Sequence, residues 1–148
     1  MSKANSSTGA RTRARELALQ ALYQREITGH DRRELMSQFR EQKAFERVDQ
    51  EFFEELLKEI CDGEEQLDAT IADVIDRPLD QLDPVERAVL LIGVYELANR
   101  IDVPYRVVIN EGVNLAKRFG AIDGHKYINA CLDNAAQSLR EVELKASS

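Results

Sequence analysis

The chain has 148 residues, 43% of them hydrophobic and 32% charged, with only 3 Pro and 7 Gly; this excludes collagen-like, mucin-like and wholly disordered chains, and the length suffices for a core without a disulfide or metal staple. Twenty Lys+Arg against 27 Asp+Glu give a net charge of −7, which excludes a uniformly basic domain that coats nucleic acid. The longest apolar stretch, Ala88 to Tyr95, has 8 residues, against about 20 for a membrane-spanning helix.

Residues 1–10 are small and polar and read as a disordered basic tail. From Arg11 the apolar positions keep helical spacing through Ala14, Leu17, Ala18, Ala21 and Leu22, and Gly29 is placed to stop that helix. A shorter stripe follows at Leu35, Met36 and Phe39. Val48, Phe52, Phe53, Leu56, Leu57 and Ile60 predict a strongly amphipathic helix. Leu67, Ile71, Val74 and Ile75 predict another, ended by Arg77-Pro78. Asp83-Pro84-Val85-Glu86 sets an N-cap acid, a proline at the first helical position and an acid at the third. The helix that follows is apolar nearly all round and belongs at the centre of the fold. Pro104 opens the next helix and Gly120 closes it. The last carries Ile128, Cys131, Leu132, Ala135 and Leu139. Strand alternation is absent, so the expected fold is all-α, about seven helices in two small packed bundles. The expected division is a tail over 1–10, an N-terminal subdomain over 11–82, a C-terminal subdomain over 83–142 and a tail over 143–148.

Catalytic patterns are missing. No Gly-rich phosphate cradle occurs, and His30 and His125 have no Cys or His at metal-ligand spacing. Cys61 and Cys131 form no CxxC, which fits a reducing compartment; with no secretory signal, the expected location is the cytoplasm. Cys131 shares a face with Ile128 and Leu132 and reads as a small buried hydrophobe. The expectation is a protein that is not an enzyme and needs no metal or cofactor.

Charge distribution is more informative. Residues 1–15 hold Lys3, Arg11, Arg13 and Arg15 and no acid, whereas the remaining 133 residues carry 16 basic and 27 acidic groups. Arg11 and Arg15 lie four apart on one helical face with Arg13 on the flank, suited either to phosphate contact or to a solvated surface. A second basic group, Lys117, Arg118, His125 and Lys126, surrounds the last interhelix turn. Tyr23 and Tyr127 supply either stacking faces for single-stranded RNA or ordinary packing. Asp123 reads as a helix N-cap or as an acceptor for a base amine or sugar hydroxyl. The segment 46–68 holds ten acids and two bases, a solvated face that would turn nucleic acid away from its side.

Several stretches together resemble the NusB family of transcription antitermination factors: Arg11-Thr-Arg-Ala-Arg-Glu-Leu-Ala-Leu-Gln-Ala-Leu-Tyr23, Val85-Glu-Arg-Ala-Val-Leu-Leu91, Val103-Pro-Tyr105, Ile109-Asn-Glu111, Leu115-Ala-Lys-Arg-Phe-Gly120 and His125-Lys-Tyr-Ile-Asn129. The resemblance covers roughly residues 11–140. It implies an all-helical, non-catalytic protein that binds the boxA element of nascent ribosomal RNA. It also implies action with a small-subunit ribosomal protein, NusE, which ties the RNA to an elongating RNA polymerase. Carried over by position, the RNA face would include Arg11, Arg13, Arg15, Tyr23, Asp123, Lys126 and Tyr127, beside the basic Lys117 and Arg118, and the partner face Glu86 and Tyr105. Asn110 and Asn129 match motif positions but read as buried helix–helix hydrogen bonders. Gly112, where the family has Ala, is expected to permit close packing. A homodimer stays open, because a groove for a partner helix reads like one for a second copy. Two rival classes share the pattern. One is a protein-interaction module without an RNA role; the other is the helical appendage of certain ribosomal-RNA methyltransferases, against which the lack of a following Gly-rich methyl-donor site counts.

Overall fold

The computed structural model describes residues 3–147. Among the described residues there are eight α-helices and no strand: α1 (Lys3–Thr28), α2 (Arg32–Arg40), α3 (Gln50–Asp62), α4 (Glu64–Ala72), α5 (Pro84–Asn99), α6 (Tyr105–Phe119), α7 (Gly124–Leu139) and α8 (Glu141–Ser147). Two short 3-10 turns, Lys43–Arg47 and Leu79–Gln81, join α2 to α3 and α4 to α5. The chain divides into two compact units, Met1–Asp62 and Gly63–Ser148. No described helix is long and apolar enough to cross a membrane.

In the first unit α1 packs on α2 and α3. Its buried stripe, Ala14, Leu17, Ala18, Leu19, Ala21 and Leu22, meets a core built around Phe39 and Phe53, whose ring centroids are 6.2 Å apart, with Phe45 edge-on to Phe53 at 5.7 Å. Gly29 stops α1 as expected. Its φ of 74° is the left-handed conformation that favours glycine, and its N–H donates to the Arg25 carbonyl at 2.9 Å. The expected disordered tail over residues 1–10 is replaced from Lys3 by α1 itself, and residues 1–2 lie outside the described residues. A tertiary bond holds the helix at this end: the Asp49 N–H donates to the Ala10 carbonyl at 3.0 Å.

The second unit is built on α5, buried from Ala88 to Leu97 as its all-round apolar sequence requires, with α4, α6 and α7 packed against it. The division between units falls after Asp62, not after residue 82, because α4 belongs with α5. Leu67 and Ile71 are buried, and the Arg87 guanidinium of α5 binds Glu64 at 3.1 Å and Asp68 at 2.8 Å on α4. Helix α4 ends at Ala72, so Val74 and Ile75, expected to belong to it, lie past its end in the segment leading to Pro78.

The expected tail over 143–148 is also corrected: residues up to Ser147 form α8, and Ser148 lies outside the described residues. Two side chains explain why the chain stays ordered here. Arg140, 3% exposed, donates to the carbonyls of Leu97 (2.7 Å), Val103 (2.9 Å), Glu96 (3.1 Å) and Arg100 (2.8 Å), closing the C-terminal end of α5 and the turn after it. Glu143 accepts from Arg140 at 2.6 Å and from the Tyr105 backbone N–H at 3.0 Å, capping the first turn of α6, which has no acid of its own.

Candidate nucleic-acid interface

The three arginines of the N-terminal segment have different surroundings. Arg13 is exposed. Arg11 and Arg15 share a face, as their spacing requires, but that face is covered by α3. Their guanidinium carbons lie 5.4 and 5.1 Å from the centroid of Phe52, and Arg15 is 2% exposed. A guanidinium is weakly hydrated and stacks on aromatic faces, so its burial against Phe52 is tolerable. Arg11 also faces Asp49 at 3.7 Å, the residue that accepts the Phe52 N–H at 3.0 Å at the start of α3. The exposed arginine face expected from sequence is therefore reduced to Arg13 and the partly exposed Arg11. Tyr23, further along α1, is 42% exposed.

In the second unit Lys117 and Arg118 are exposed in the last turn of α6, where cations also suit the helix dipole. The turn between α6 and α7 is open: Ile122 is 94% exposed. Asp123 has φ 68°, the only left-handed residue other than glycine among the described residues. Its side chain makes no capping bond to α7, contrary to the N-cap reading, and instead lies 3.5 Å from Lys126. The Asp123 carboxylate is exposed at this turn, on a residue held in the left-handed conformation.

Tyr127 is more constrained than either of its sequence readings. Its hydroxyl donates to Asp76 Oδ1 at 3.0 Å and accepts the Asp76 N–H at 3.2 Å, and the Arg77 guanidinium lies 4.2 Å from its ring centroid. Arg77 Nε donates to the same Asp76 oxygen at 2.7 Å. The bonds from Arg77, then from Tyr127, hold the Asp76 carboxyl below its usual range, and burial pushes the Tyr127 hydroxyl up to about 12. Sequence reading missed Asp76 and Arg77. Fifty residues separate them from Tyr127 and no local periodicity links the two segments.

Of the two expected partner contacts, Glu86 forms a capping box with Asp83: its N–H donates to Asp83 Oδ1 at 2.9 Å while its Oε1 accepts the Asp83 N–H at 3.5 Å. Partial burial, then the neighbouring Asp83 charge, raises its pKa. Tyr105 is half-buried, with Arg106 donating to its hydroxyl at 3.2 Å. Asn110 and Asn129 are both exposed, not buried as expected. The acids of 46–68 are not merely solvated: Asp49 caps α3, Glu54 binds Arg40, and Glu64 and Asp68 hold Arg87. Among the described residues no group of three or more His, Cys, Asp or Glu converges on a metal position.

The NusB family profile matches residues 12–137 of the chain. The chain is 46% identical over 143 residues to the transcription antitermination protein NusB of Pseudomonas syringae pv. tomato, spanning 97% of this chain and 87% of that protein. It is 49% identical over 138 residues to the corresponding protein of Paraburkholderia xenovorans, spanning 93% and 96%. Among solved structures, T. maritima NusB matches with a TM-score of 0.73 at 28% identity, over 86% of this chain and 91% of that one.

Proposed function

Because the chain belongs to the NusB family of transcription antitermination proteins, we propose that it binds boxA-type single-stranded RNA of a nascent transcript together with the small-subunit ribosomal protein NusE, which links that RNA to an elongating RNA polymerase. Its role is to bridge, not to catalyse. The observation that supports RNA binding is the exposed cationic set, Arg13, Lys117, Arg118 and Lys126, on a chain of net charge −7. Exposed cations on an acidic protein can contact phosphates, and Tyr23, 42% exposed, can offer its ring to a base. Glu86 and Tyr105 are the proposed NusE contacts.

A net charge of −7 opposes RNA approach at long range, so the free chain binds RNA weakly. A basic ribosomal protein on the acidic surface relieves that repulsion, and RNA tightens the protein–protein contact by the same factor. A salt-titrated mobility-shift assay with a boxA-type RNA, with and without NusE, tests this. The expected result is tighter binding with NusE and a linear fall of log affinity with log salt. No RNA shift at low salt with NusE present would overturn the proposal. That outcome would favour the rival reading as a protein-interaction module, for which the engagement of Arg11 and Arg15 by Phe52 is the supporting observation.

A further inference from the structure

Arg77 stands in no motif, yet it is built into the same edge of the second unit as Lys126 and Tyr127. One face of the Tyr127 ring is covered by its guanidinium, so a base cannot lie against that face. The arginine is held from two sides, by the ring and by Asp76 Oδ1, while its side chain stays 37% exposed. Asp76 is itself fixed by both bonds to the Tyr127 hydroxyl. The result is a guanidinium plane with restricted rotamer freedom at the surface, seated on Tyr127, the residue that follows the exposed Lys126 in the first turns of α7. Nε faces Asp76, and the two Nη groups carry four of the five guanidinium N–H donors. Planar, pre-organised cations of this kind stack on bases and donate to phosphate with little further ordering.

We propose that Arg77 is an additional RNA-contacting residue, and that Asp76 and Tyr127 form the clamp that presents its guanidinium to the single strand. This deepens the RNA-binding reading and rests on it. Tyr127 is then a positioning residue, acting through Arg77. Asp76 offsets part of the arginine charge, so the ionic contribution is at most one phosphate contact and the stacking contribution carries the rest.

The test is a double-mutant cycle with the full chain, NusE and a boxA-type single-stranded RNA oligonucleotide, read as affinity across a salt series. Arg77→Ala is expected to weaken binding about tenfold, with a slope of log affinity against log salt shallower by up to about 0.7. Arg77→Lys keeps the charge but not the plane, and is expected to keep the slope while losing severalfold in affinity. Tyr127→Phe, which removes both bonds to Asp76, is expected to weaken binding in the wild-type background and to change nothing in the Arg77→Ala background. Arg77→Gln gives a second readout if the alanine variant melts below the assay temperature. Wild-type affinity in both Arg77→Ala and Arg77→Gln would overturn the proposal, and additive losses in the cycle would overturn the clamp. A wild-type chain that gives no shift with NusE overturns the RNA reading and this inference together. Binding by wild type with no effect at position 77 sinks the inference alone.

Discussion

The guanidinium carbon of Arg15 lies 5.1 Å from the centroid of the Phe52 ring and the side chain is 2% exposed. A basic residue in an arginine-rich segment has thus been withdrawn from the surface to join α1 to α3. Arg15→Ala should lower stability by about 2 kcal/mol, the scale of a desolvated cation–π contact. Arg13→Ala, at an exposed site, should leave stability within about 0.5 kcal/mol and reduce RNA affinity. Urea melts beside RNA titrations of each single variant check the split; equal effects in both assays would count against it.

Arg140 supplies the second stability prediction. Its loss would take the side-chain donor from the carbonyls of Leu97 and Val103, while those of Glu96 and Arg100 would keep the backbone N–H of Arg100 and of Val103. Arg140→Ala should cost about 3 kcal/mol or more, given about 1.5–3 kcal/mol for a hydrogen bond to a charged group. Arg140→Lys should recover only part of this, since an ammonium lacks the planar fork. Chemical denaturation of both variants measures the difference.

Alkaline stability reports on the Tyr127 clamp. The hydroxyl holds its proton to about 12 in the folded chain, against 10 ordinarily. A group with a raised folded pKa contributes stability in full below its ordinary value, and the contribution is lost as pH rises towards the folded one. The wild type should therefore lose stability between about pH 10 and 12 in excess of Tyr127→Phe. Of the chain's 4 tyrosines, one should ionise late in an absorbance titration. Asp76 has the opposite sign. Its lowered pKa makes its contribution present above the ordinary carboxylate value and lost as pH falls below it.

Thiol reactivity should separate the two cysteines. Cys61 is partly exposed, whereas Cys131 is 2% exposed and burial raises its pKa. A thiol reagent should label Cys61 in the native chain and reach Cys131 only after denaturation. Cys131→Ala should bind RNA normally with a stability loss of about 1 kcal/mol from the small cavity. Rapid native labelling of both thiols would contradict the packing described for α7.

Glu86 needs a variant that separates its two roles. Glu86→Gln keeps an N3 side chain able to complete the capping box and removes only the charge. It should weaken NusE binding, and the NusE-dependent part of RNA binding, while sparing stability and the weak binding of RNA by the free chain. Glu86→Lys should add a loss of about 0.5–1 kcal/mol from a cation at a helix start. Equal losses of RNA affinity with and without NusE would move Glu86 off the partner surface.

What the sequence made legible was local. The capping box at Asp83 and Glu86, the proline start of α5 and the glycine stop at Gly29 are read within four residues, because their hydrogen bonds close within one turn. Helical spacing also placed Arg11 and Arg15 on one face correctly. What covers that face is Phe52, thirty-seven residues beyond Arg15, and no periodicity in α1 announces it. The unit boundary was missed for the same reason: Arg87 assigns α4 to α5 through Glu64 and Asp68, whereas the Arg77-Pro78 break is the louder local signal. Arg140 and Glu143 sit in a polar stretch that composition reads as tail, and only the open carbonyls of α5 explain their order. At the candidate RNA interface, exposed cations were identifiable by residue type. The clamp on Arg77 was not, since it joins segments fifty residues apart.

Leu132 of α7 sits against two glycines on different helices. A Cβ added at Gly93 of α5 would come within 2.6 Å of Leu132 Cδ2, and one at Gly112 of α6 within 2.6 Å of Cδ1. The three positions are coupled in space, so a change at one alters what the other two can hold. An alanine at either glycine would require the end of the Leu132 side chain to move or a shorter residue to replace it. Reversion of one position then becomes costly, because the other has already adjusted. Substitutions at 93, 112 and 132 should therefore change in concert among relatives, and grafting a residue from one homologue into another at a single one of them should fail more often than transferring the trio.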